Sequence, residues 1–211
     1  MLNFFQSGKV LTLLAIFLLA SNHLDAQRGR NAGTYLELCF GSSNAVRPYT
    51  KGYRSATMGL FHSGFAFRRM MNDRFGYKIY LGYDQINNAK GGNSEPFKTN
   101  YIRVTFQGVM DAGAVLNFRD FTKRFTILVY GGFGGSNLFN NAGQSGSMLN
   151  FTAGVMPQYR FSERFRMHLD FCRVRHVYQQ VTFDLNSSHN ELGYDGLLVN
   201  ASLGFSFYFG G

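Results

Sequence analysis

The stretch Leu197–Gly211, LLVNASLGFSFYFGG, decides the fold of this chain. Every second residue from Leu197 to Phe209 is apolar, and the residues between them are small or polar apart from Leu198. This alternation runs for about thirteen residues, longer than a typical globular strand and long enough for a tilted strand to cross a bilayer. The stretch therefore predicts a membrane-spanning β-strand with one face toward lipid.

The aromatic residues of this strand also suggest how the chain reaches its membrane. A strand with an aromatic face at the C-terminus is the signal that the barrel-assembly machinery of the Gram-negative outer membrane recognises. We therefore predict an assembly signal at Phe205, Phe207 and Phe209. The same reasoning predicts that the protein is located in the outer membrane and contacts the assembly machinery during biogenesis.

The other end of the chain carries an export pattern. Lys9 precedes the apolar core Val10–Ala20, and Leu24–Ala26 offers a small residue for cleavage. The core is shorter than the roughly twenty apolar residues of a spanning helix. We predict a signal peptide over 1–26, which is removed, and a single barrel domain over 27–211.

The composition supports a barrel over a soluble domain and over a nucleic-acid-binding protein. The chain has 25 Gly, 23 Phe and 12 Tyr but only 3 Pro and no Trp, which is unusual for a soluble domain. Its mean hydropathy of -0.14 suits a barrel with a polar interior and one apolar face. The net charge of +9 favours lipid phosphates over nucleic acid as partners, because an exported barrel rarely meets nucleic acid.

Alternating stretches recur along the chain and predict eight strands. In chain order they are Thr34–Phe40, Met58–Met70, Arg74–Asp84, Ile102–Asp111, Phe125–Gly135, Leu149–Phe161, Phe165–Cys172 and Leu197–Gly211. Pro157 lies inside the sixth, where its missing N–H predicts a β-bulge.

The connections alternate in length, which is typical of bacterial outer-membrane barrels. Tight turns are predicted at Asn72–Asp73 and Ser162–Arg164, and a somewhat longer link at Asn117–Arg124. Long polar loops are predicted at Ser42–Ser55, Gln85–Lys98, Asn137–Ser147 and Gln179–Tyr194. The predicted fold class is all-β, an eight-stranded antiparallel up-and-down transmembrane β-barrel.

Four stretches resemble the small eight-stranded OmpA-like barrels, especially those of Bacteroidota. They are KGYRS (51–55), NDRFGYKIYLGYD (72–84), FKTNYIRVTFQGVMDAGAVLNF (97–118) and YDGLLVNASLGFSFYFG (194–210). The resemblance implies an integral outer-membrane barrel. It implies no cell-wall tethering, because we expect no periplasmic peptidoglycan-binding domain after the last strand.

The predicted inward faces carry many charged residues. An eight-stranded barrel is just wide enough for side chains to fill it, so these charges must pair with one another. A structural plug of ion pairs is the favoured interpretation, and a gated pore or proton path is the alternative. The predicted lumen network is Glu37, Arg68, Lys78, Asp84, Arg103, Asp111, Arg160, Arg166 and Asp170.

A hydrolytic site is conceivable on two neighbouring strands. His168 and Asp170 share a face with Ser202 and Ser206, which permits a Ser/His/Asp arrangement. His189 and Glu191 in the last loop match no motif. Lumen packing is the favoured interpretation, so we predict no catalytic residue.

We also predict no metal and no cofactor, because no Cys/His cluster has metal-ligand spacing and the glycines follow no phosphate-loop pattern. Cys39 and Cys172 both point inward but lie on strands separated by the last one. We therefore expect two free thiols, because a disulfide needs Cα atoms within about 7 Å.

Basic residues gather at the predicted membrane interfaces. They predict contacts with phospholipid and lipopolysaccharide headgroups through Arg69, Arg119, Lys123, Arg124, Arg164, Arg173 and Arg175. The function expected from these features is non-enzymatic: stabilising the envelope, presenting loops, or serving as an accessory subunit of an outer-membrane complex with another protein. A lipid A-modifying barrel enzyme and a narrow gated pore are the alternatives.

Overall fold

The computed structural model describes residues 32–56, 59–89, 94–116, 124–188 and 193–210. The predicted signal peptide lies outside this range. The described chain forms eight strands and one short helix: β1 Gly33–Arg47, β2 Gly59–Met70, β3 Phe75–Asn87, β4 Lys98–Asp111, α1 Ala112–Val115, β5 Phe125–Phe139, β6 Ser145–Arg160, β7 Phe165–Gln179 and β8 Tyr194–Gly210.

The strands form one closed antiparallel barrel. Each strand pairs with its neighbours in sequence, and β8 pairs with β1, for example Leu38 with Phe205. Closure leaves no open sheet edge, so the backbone hydrogen bonds are satisfied within the sheet, as lipid requires. The predicted fold class is confirmed.

The two faces of the barrel reverse the pattern of a soluble protein. Large apolar side chains point outward and remain exposed, as in Phe65 at 45%, Val104 at 53% and Phe151 at 57%. Polar and charged side chains point inward and are buried, as in Arg68 and Asp84 at 0%. Because each strand has a period of two, one alternation produces both faces. The predicted facing of the strands is confirmed.

The strands extend farther than their apolar pattern. β1 continues to Arg47 and β5 to Phe139, so the third predicted long loop, Asn137–Ser147, is wrong. Asn137 pairs with Ser147 in the ladder, and the hairpin turn is only 140–144. The Asn140 Oδ1 atom accepts hydrogen bonds from the backbone N–H groups of Ala142 at 3.0 Å and Gln144 at 3.1 Å. Ladder pairing therefore continues past the end of the predicted strand, as far as Phe139 opposite Ser145.

Pro157 does not produce the predicted bulge. The register between β6 and β7 is the same on both sides of it, with Val155 opposite Phe171 and Gln158 opposite His168. Against β5, Pro157 pairs normally with Ile127. The strand accommodates the missing N–H by losing two pairs with β7, at Met156 and Pro157, without inserting an extra residue.

The described residues 71–74, 112–116, 124 and 161–164 lie at the end of the barrel that we call the inner end. Asn72 and Ser162 hold the tight turns: the Asn72 Oδ1 atom accepts from the N–H groups of Arg74 and Phe75, both at 2.8 Å. Asp111 caps α1, accepting from the N–H of Ala114 at 3.0 Å. The opposite, outer end carries the described residues 48–56, 88–89, 94–97, 140–144, 180–188 and 193.

Candidate functional site

Buried charges fill the middle of the lumen and reach the inner end. Cations and carboxylates are present there in equal numbers: Arg68, Lys78, Arg103 and Arg166 against Glu37, Asp84, Asp111 and Asp170. The structure thus places the predicted network residues on the lumen-facing side of the sheet, with Arg160 half-buried at the inner end of the barrel. Buried charges are stable only when paired and hydrogen-bonded, so the contacts below decide what the lumen does.

Glu37 is the counter-ion of two cations. Its Oε1 atom lies 2.7 Å from the Arg68 Nε atom, and its Oε2 atom lies 4.0 Å from the Lys78 Nζ atom. Arg68 and Lys78 stand directly opposite each other on β2 and β3. Like charges in that position repel, so the carboxylate between them stabilises the pairing. The guanidinium of Arg68 also lies 4.3 Å from the ring centroid of Tyr35.

Asp84 organises a second group of side chains. Its Oδ1 atom lies 2.7 Å from His62 Nδ1 and accepts a hydrogen bond from Asn200 Nδ2 at 2.9 Å. His62 Nε2 lies 2.9 Å from the Tyr80 hydroxyl. Asn200 in turn accepts from Arg103 Nη1 at 3.0 Å. Sequence reasoning missed His62, Tyr80 and Asn200 as network members, although each occupies an inward position of its strand.

The sequence places Asp170 on the same inner surface as Arg160 and Arg166, which predicts that one of these arginines is its partner, but neither pairs with it. Its Oδ1 atom accepts a 2.5 Å hydrogen bond from the Tyr130 hydroxyl, and the Lys78 Nζ atom lies 3.8 Å from the Tyr130 ring centroid. Arg166 is four residues away on the same strand, about 13 Å along it at the usual rise per residue. Distance along β7 therefore separates the expected partners.

Small residues make room for the lumen tyrosines. A Cβ atom at Gly154 would collide with the Tyr130 hydroxyl, and one at Gly64 would collide with the Tyr80 hydroxyl. Some of the glycines that make this chain unusual thus allow large polar rings to lie across the lumen. The hydroxyls of Tyr80 and Tyr130 contact His62 and Asp170 on other strands, so the two rings occupy the barrel interior.

The candidate catalytic residues do not form a triad. His168 Nδ1 lies 3.0 Å from the Ser206 Oγ atom, which donates to Glu37 Oε1 at 3.3 Å. The serine therefore lies between the histidine and the carboxylate, whereas a triad places the histidine in the middle. His168, Ser202 and Ser206 are all buried in the lumen.

The other candidate groups are two residues of the last loop and the two cysteines. His189 and Glu191 lie outside the described residues. Cys39 and Cys172 are free, buried thiols, as expected. Within the described ranges no cluster of His, Cys, Asp or Glu could hold a metal ion. In the same part of the chain, no helix is long and apolar enough to cross a membrane.

Two outer segments fold over the mouth of the lumen and contact each other; we call residues 48–50 and 182–184 the outer clasp. The Phe183 N–H donates to the Pro48 carbonyl at 3.0 Å, and the Thr50 N–H donates to Asp184 Oδ1 at 2.9 Å. The hydroxyls of Thr50 and Thr182 lie 3.2 Å apart. Burial raises the pKa of the Tyr49 hydroxyl.

An apolar layer lies beneath the outer clasp. Phe183 is 0% exposed, and its ring centroid lies 5.6 Å from the ring centroid of His176. The Nε2 atom of His176 lies 2.7 Å from the Tyr101 hydroxyl. Leu138 and Leu198 complete the layer and are also fully buried. Phe183 and Leu185 are apolar residues inside a polar loop, the signal that could have revealed the clasp from sequence.

Among the described residues, the side chains below this layer are closely packed. The space among His62, Arg103, Tyr130 and Asn200 is too small to admit a water molecule. The barrel thus has a packed polar centre under an apolar layer, and side chains close its interior at that level.

Solved structures of similar architecture match most of this chain. The crystal structure of Neisserial surface protein A matches with a TM-score of 0.59 and 8% identity, covering 84% of this chain and 98% of that one. A major outer membrane protein from Thermus thermophilus matches with a TM-score of 0.50 and 11% identity, covering 84% of this chain and 100% of that one. No family model and no curated protein matches the sequence.

The chain has the fold of small eight-stranded outer-membrane β-barrels. At these identities the likeness concerns the fold, and the lipid-facing apolar band described above agrees with it. The resemblance to Bacteroidota members in particular stays a prediction.

The predicted assembly residues lie at the inner end of the barrel. Phe207 and Phe209 are 42% and 67% exposed on the lipid-facing side of β8. The ring of Phe165 on β7 lies 5.6 Å from that of Phe205 and 5.3 Å from that of Phe207. These rings form a continuous aromatic surface across β7 and β8.

The predicted headgroup residues divide between the two ends. Arg69 and Arg164 lie at the inner end, and Arg173 and Arg175 are exposed on the outward face of β7. Arg124 lines a pocket in the inner mouth of the barrel. Arg119 and Lys123 lie outside the described residues.

The outer rim carries one acidic residue that sequence reasoning missed. Asp195 Oδ1 accepts from Arg175 Nε at 2.8 Å, and its Oδ2 atom accepts from Arg47 Nη2 at 2.9 Å. The carboxylate therefore links β7, β8 and β1 at the rim. All three side chains are exposed, so the pairs contribute little to stability.

Proposed function

We propose that this barrel is a non-enzymatic protein of the Gram-negative outer membrane that presents a rigid outer surface, with the lumen acting as a structural plug. The observation that carries the proposal is the filled interior. Inside the barrel Glu37 pairs with Arg68 and Asp84 pairs with His62, and the apolar layer under the outer clasp lies on their outer side. A pore needs a wet path and an enzyme needs an accessible nucleophile, and this arrangement favours neither.

Part of the outer surface is suited to presentation, because contacts hold its described segments in place. The clasp fixes segments 48–50 and 182–184, and Tyr53 packs on Phe97 with ring centroids 6.0 Å apart. Beside them lies a groove of about 430 Å³ lined in part by Arg47, Tyr49, Tyr53 and Arg54. Tyrosine and arginine are enriched at protein interfaces, so this groove is the best candidate contact for an external partner.

Reconstitution in planar bilayers tests the structural plug. The purified full-length protein should give no stepwise ion conductance, because the space among the lumen side chains His62, Arg103 and Tyr130 is too small for a water molecule. Regular conductance steps from the unmodified protein would contradict the proposal and favour the gated pore.

Native purification in mild detergent, followed by mass spectrometry, tests the presenting surface. We expect a co-purifying outer-membrane partner that is lost from Tyr53→Ala/Arg54→Ala. A matched control, Ala142→Ser in the opposite hairpin turn, should retain it. A lone barrel with bound lipid in all samples would contradict loop presentation and favour an envelope-stabilising role.

Lipid A from cells with and without the protein should give identical mass spectra. A consistent mass difference that depends on His168 would overturn the non-enzymatic assignment.

A further inference from the structure

Two arginines follow the apolar residues on the outward face of β7. Arg173 and Arg175 occupy successive outward positions after Leu169 and Phe171, which are 46% and 53% exposed. The residues that flank the two arginines on β6 and β8 are all apolar: Phe151 and Ala153 on one side, and Leu197 and Val199 on the other. A cation on the lipid-facing side of a barrel is destabilising near the bilayer midplane and tolerated near an interface. The level of the two arginines in the membrane therefore matters.

The length of β7 places these arginines at the outer edge of the apolar band. The strand begins at Phe165, beside a tight turn of the inner end, and tight turns are periplasmic in bacterial barrels. From Phe165 to Arg175 the strand extends about 33 Å at the usual rise per residue. At a tilt of about 40° this length spans about 25 Å of membrane, which is the height of the apolar band of a barrel. Arg175 thus lies at the level of the outer-leaflet headgroups, and Arg173 lies just below it.

A third arginine lies beside them, on the other side of β8. Arg175 of β7 and Arg47 of β1 are both cross-strand neighbours of Leu197. The Asp195 carboxylate links them, at 2.8 Å from Arg175 Nε and 2.9 Å from Arg47 Nη2. Their side chains remain 65% and 59% exposed. Because a guanidinium has five N–H donors, both arginines retain donors for a second anion.

Cations outnumber carboxylates in this part of the rim, and we call Arg47, Arg173 and Arg175 the outer arginine patch. Of the described carboxylates, Asp195 is the one bonded to the patch. Counting Glu191 as well, which lies outside the described residues, leaves three arginines against two carboxylates. The patch therefore has an excess of positive charge on a surface that meets lipid.

An anionic lipid fits both the charges of the patch and the apolar surface below it. Arginine binds phosphate oxygens in a bidentate manner, and Phe171 and Val199 are exposed apolar side chains next to the cations. We propose that the outer arginine patch binds lipopolysaccharide of the outer leaflet, with a lipid A phosphate on the guanidinium groups and an acyl chain along Phe171 and Val199. The site does not depend on what the presenting surface contacts. Arg47 also borders the groove of that surface, so the test relies on Arg173 and Arg175.

Titration of bisphosphorylated lipid A into the full-length protein in mild detergent, followed by native mass spectrometry of the complex, tests the site. We expect saturable binding that weakens at least about tenfold in Arg173→Gln/Arg175→Gln, the loss expected when hydrogen bonds to a charged group are removed. The matched control is Arg74→Gln/Arg164→Gln, which removes the same charge from exposed positions at the inner end. It should bind within about twofold of the unmodified protein.

Two further lipids identify the group that is bound. Lipid A without its phosphates keeps the acyl chains and should bind the unmodified protein as weakly as bisphosphorylated lipid A binds Arg173→Gln/Arg175→Gln. Phosphatidylglycerol should bind more weakly than lipid A, and equal affinity would overturn the proposal in favour of a general attraction of anionic lipids.

The variants also separate this site from a folding defect and from the presenting surface. Both arginines of β7 are exposed, so their double variant should keep the heat-dependent gel mobility of a closed barrel. Tyr53→Ala/Arg54→Ala alters the presenting surface and should bind lipid A like the unmodified protein. Absence of saturable binding, or equal affinities of the outer and inner double variants, would overturn the proposal.

Discussion

Neutralising Glu37 should destabilise the barrel more than any rim charge. Glu37→Gln keeps the shape of the side chain but leaves Arg68 and Lys78 without their shared carboxylate. The side chains of both cations are only 1% exposed. At 4 Å and an effective dielectric of 20, one such pair is worth about 4 kcal/mol before compensation. Breaking a buried pair by removing one partner typically costs about 3–5 kcal/mol, and we expect the free energy of unfolding to fall by that amount.

Urea unfolding of the lipid-reconstituted protein, under conditions where folding is reversible, measures this change. Asp195→Asn is the matched control, because it removes a carboxylate from two arginines at 2.8 and 2.9 Å that are exposed. Its effect should stay below about 1 kcal/mol. Adding Lys78→Met to Glu37→Gln should recover part of the loss, since it removes one of the stranded cations.

A change of less than about 0.5 kcal/mol for Glu37→Gln would refute the reasoning, because that is the size of an ordinary surface substitution. It would mean that water, and not Glu37, solvates Arg68 and Lys78, and the lumen would then have to be hydrated. Equal effects of Glu37→Gln and Asp195→Asn would lead to the same conclusion.

Four further outcomes are expected. Unheated protein should migrate faster than boiled protein on a denaturing gel, because a closed barrel unfolds slowly; identical mobility would count against closure. Phe209→Ala should lower the amount that reaches the outer membrane without lowering the stability of the assembled barrel, and wild-type accumulation would show that the assembly signal lies elsewhere. Asp170→Ala should lower stability by about 1–3 kcal/mol or more, since it leaves the Tyr130 hydroxyl unsatisfied, while His168→Ala should leave the lipid A mass spectrum unchanged. Unfolding curves and lipid A spectra of the two variants measure these effects, and an unaltered unfolding curve for Asp170→Ala would place that carboxylate in water.

The sequence by itself determined the strands and their faces. Successive side chains of a strand point to opposite sides, so the identity of each residue records locally whether it meets lipid or lumen. For that reason the alternation in Leu197–Phe209 and in Phe75–Tyr83 predicts outward faces that the structure confirms. The ends of the strands were harder to predict from the sequence. β5, for example, continues to Phe139, because ladder hydrogen bonds extend beyond the residues that carry the alternating apolar pattern.

Only the tertiary structure decided which inward residues meet. Asp170 of β7 reaches Tyr130 of β5, and Arg103 of β4 reaches Asn200 of β8, across a lumen that exists only after closure. These partners depend on the tilt and stagger of all eight strands together, which no single strand encodes. The same holds for Phe183, whose place in the outer clasp depends on the Pro48 carbonyl from a segment far away in sequence. The side of the sheet that a residue faces is determined by its own strand, whereas the residue that it contacts across the lumen is determined by the closed sheet.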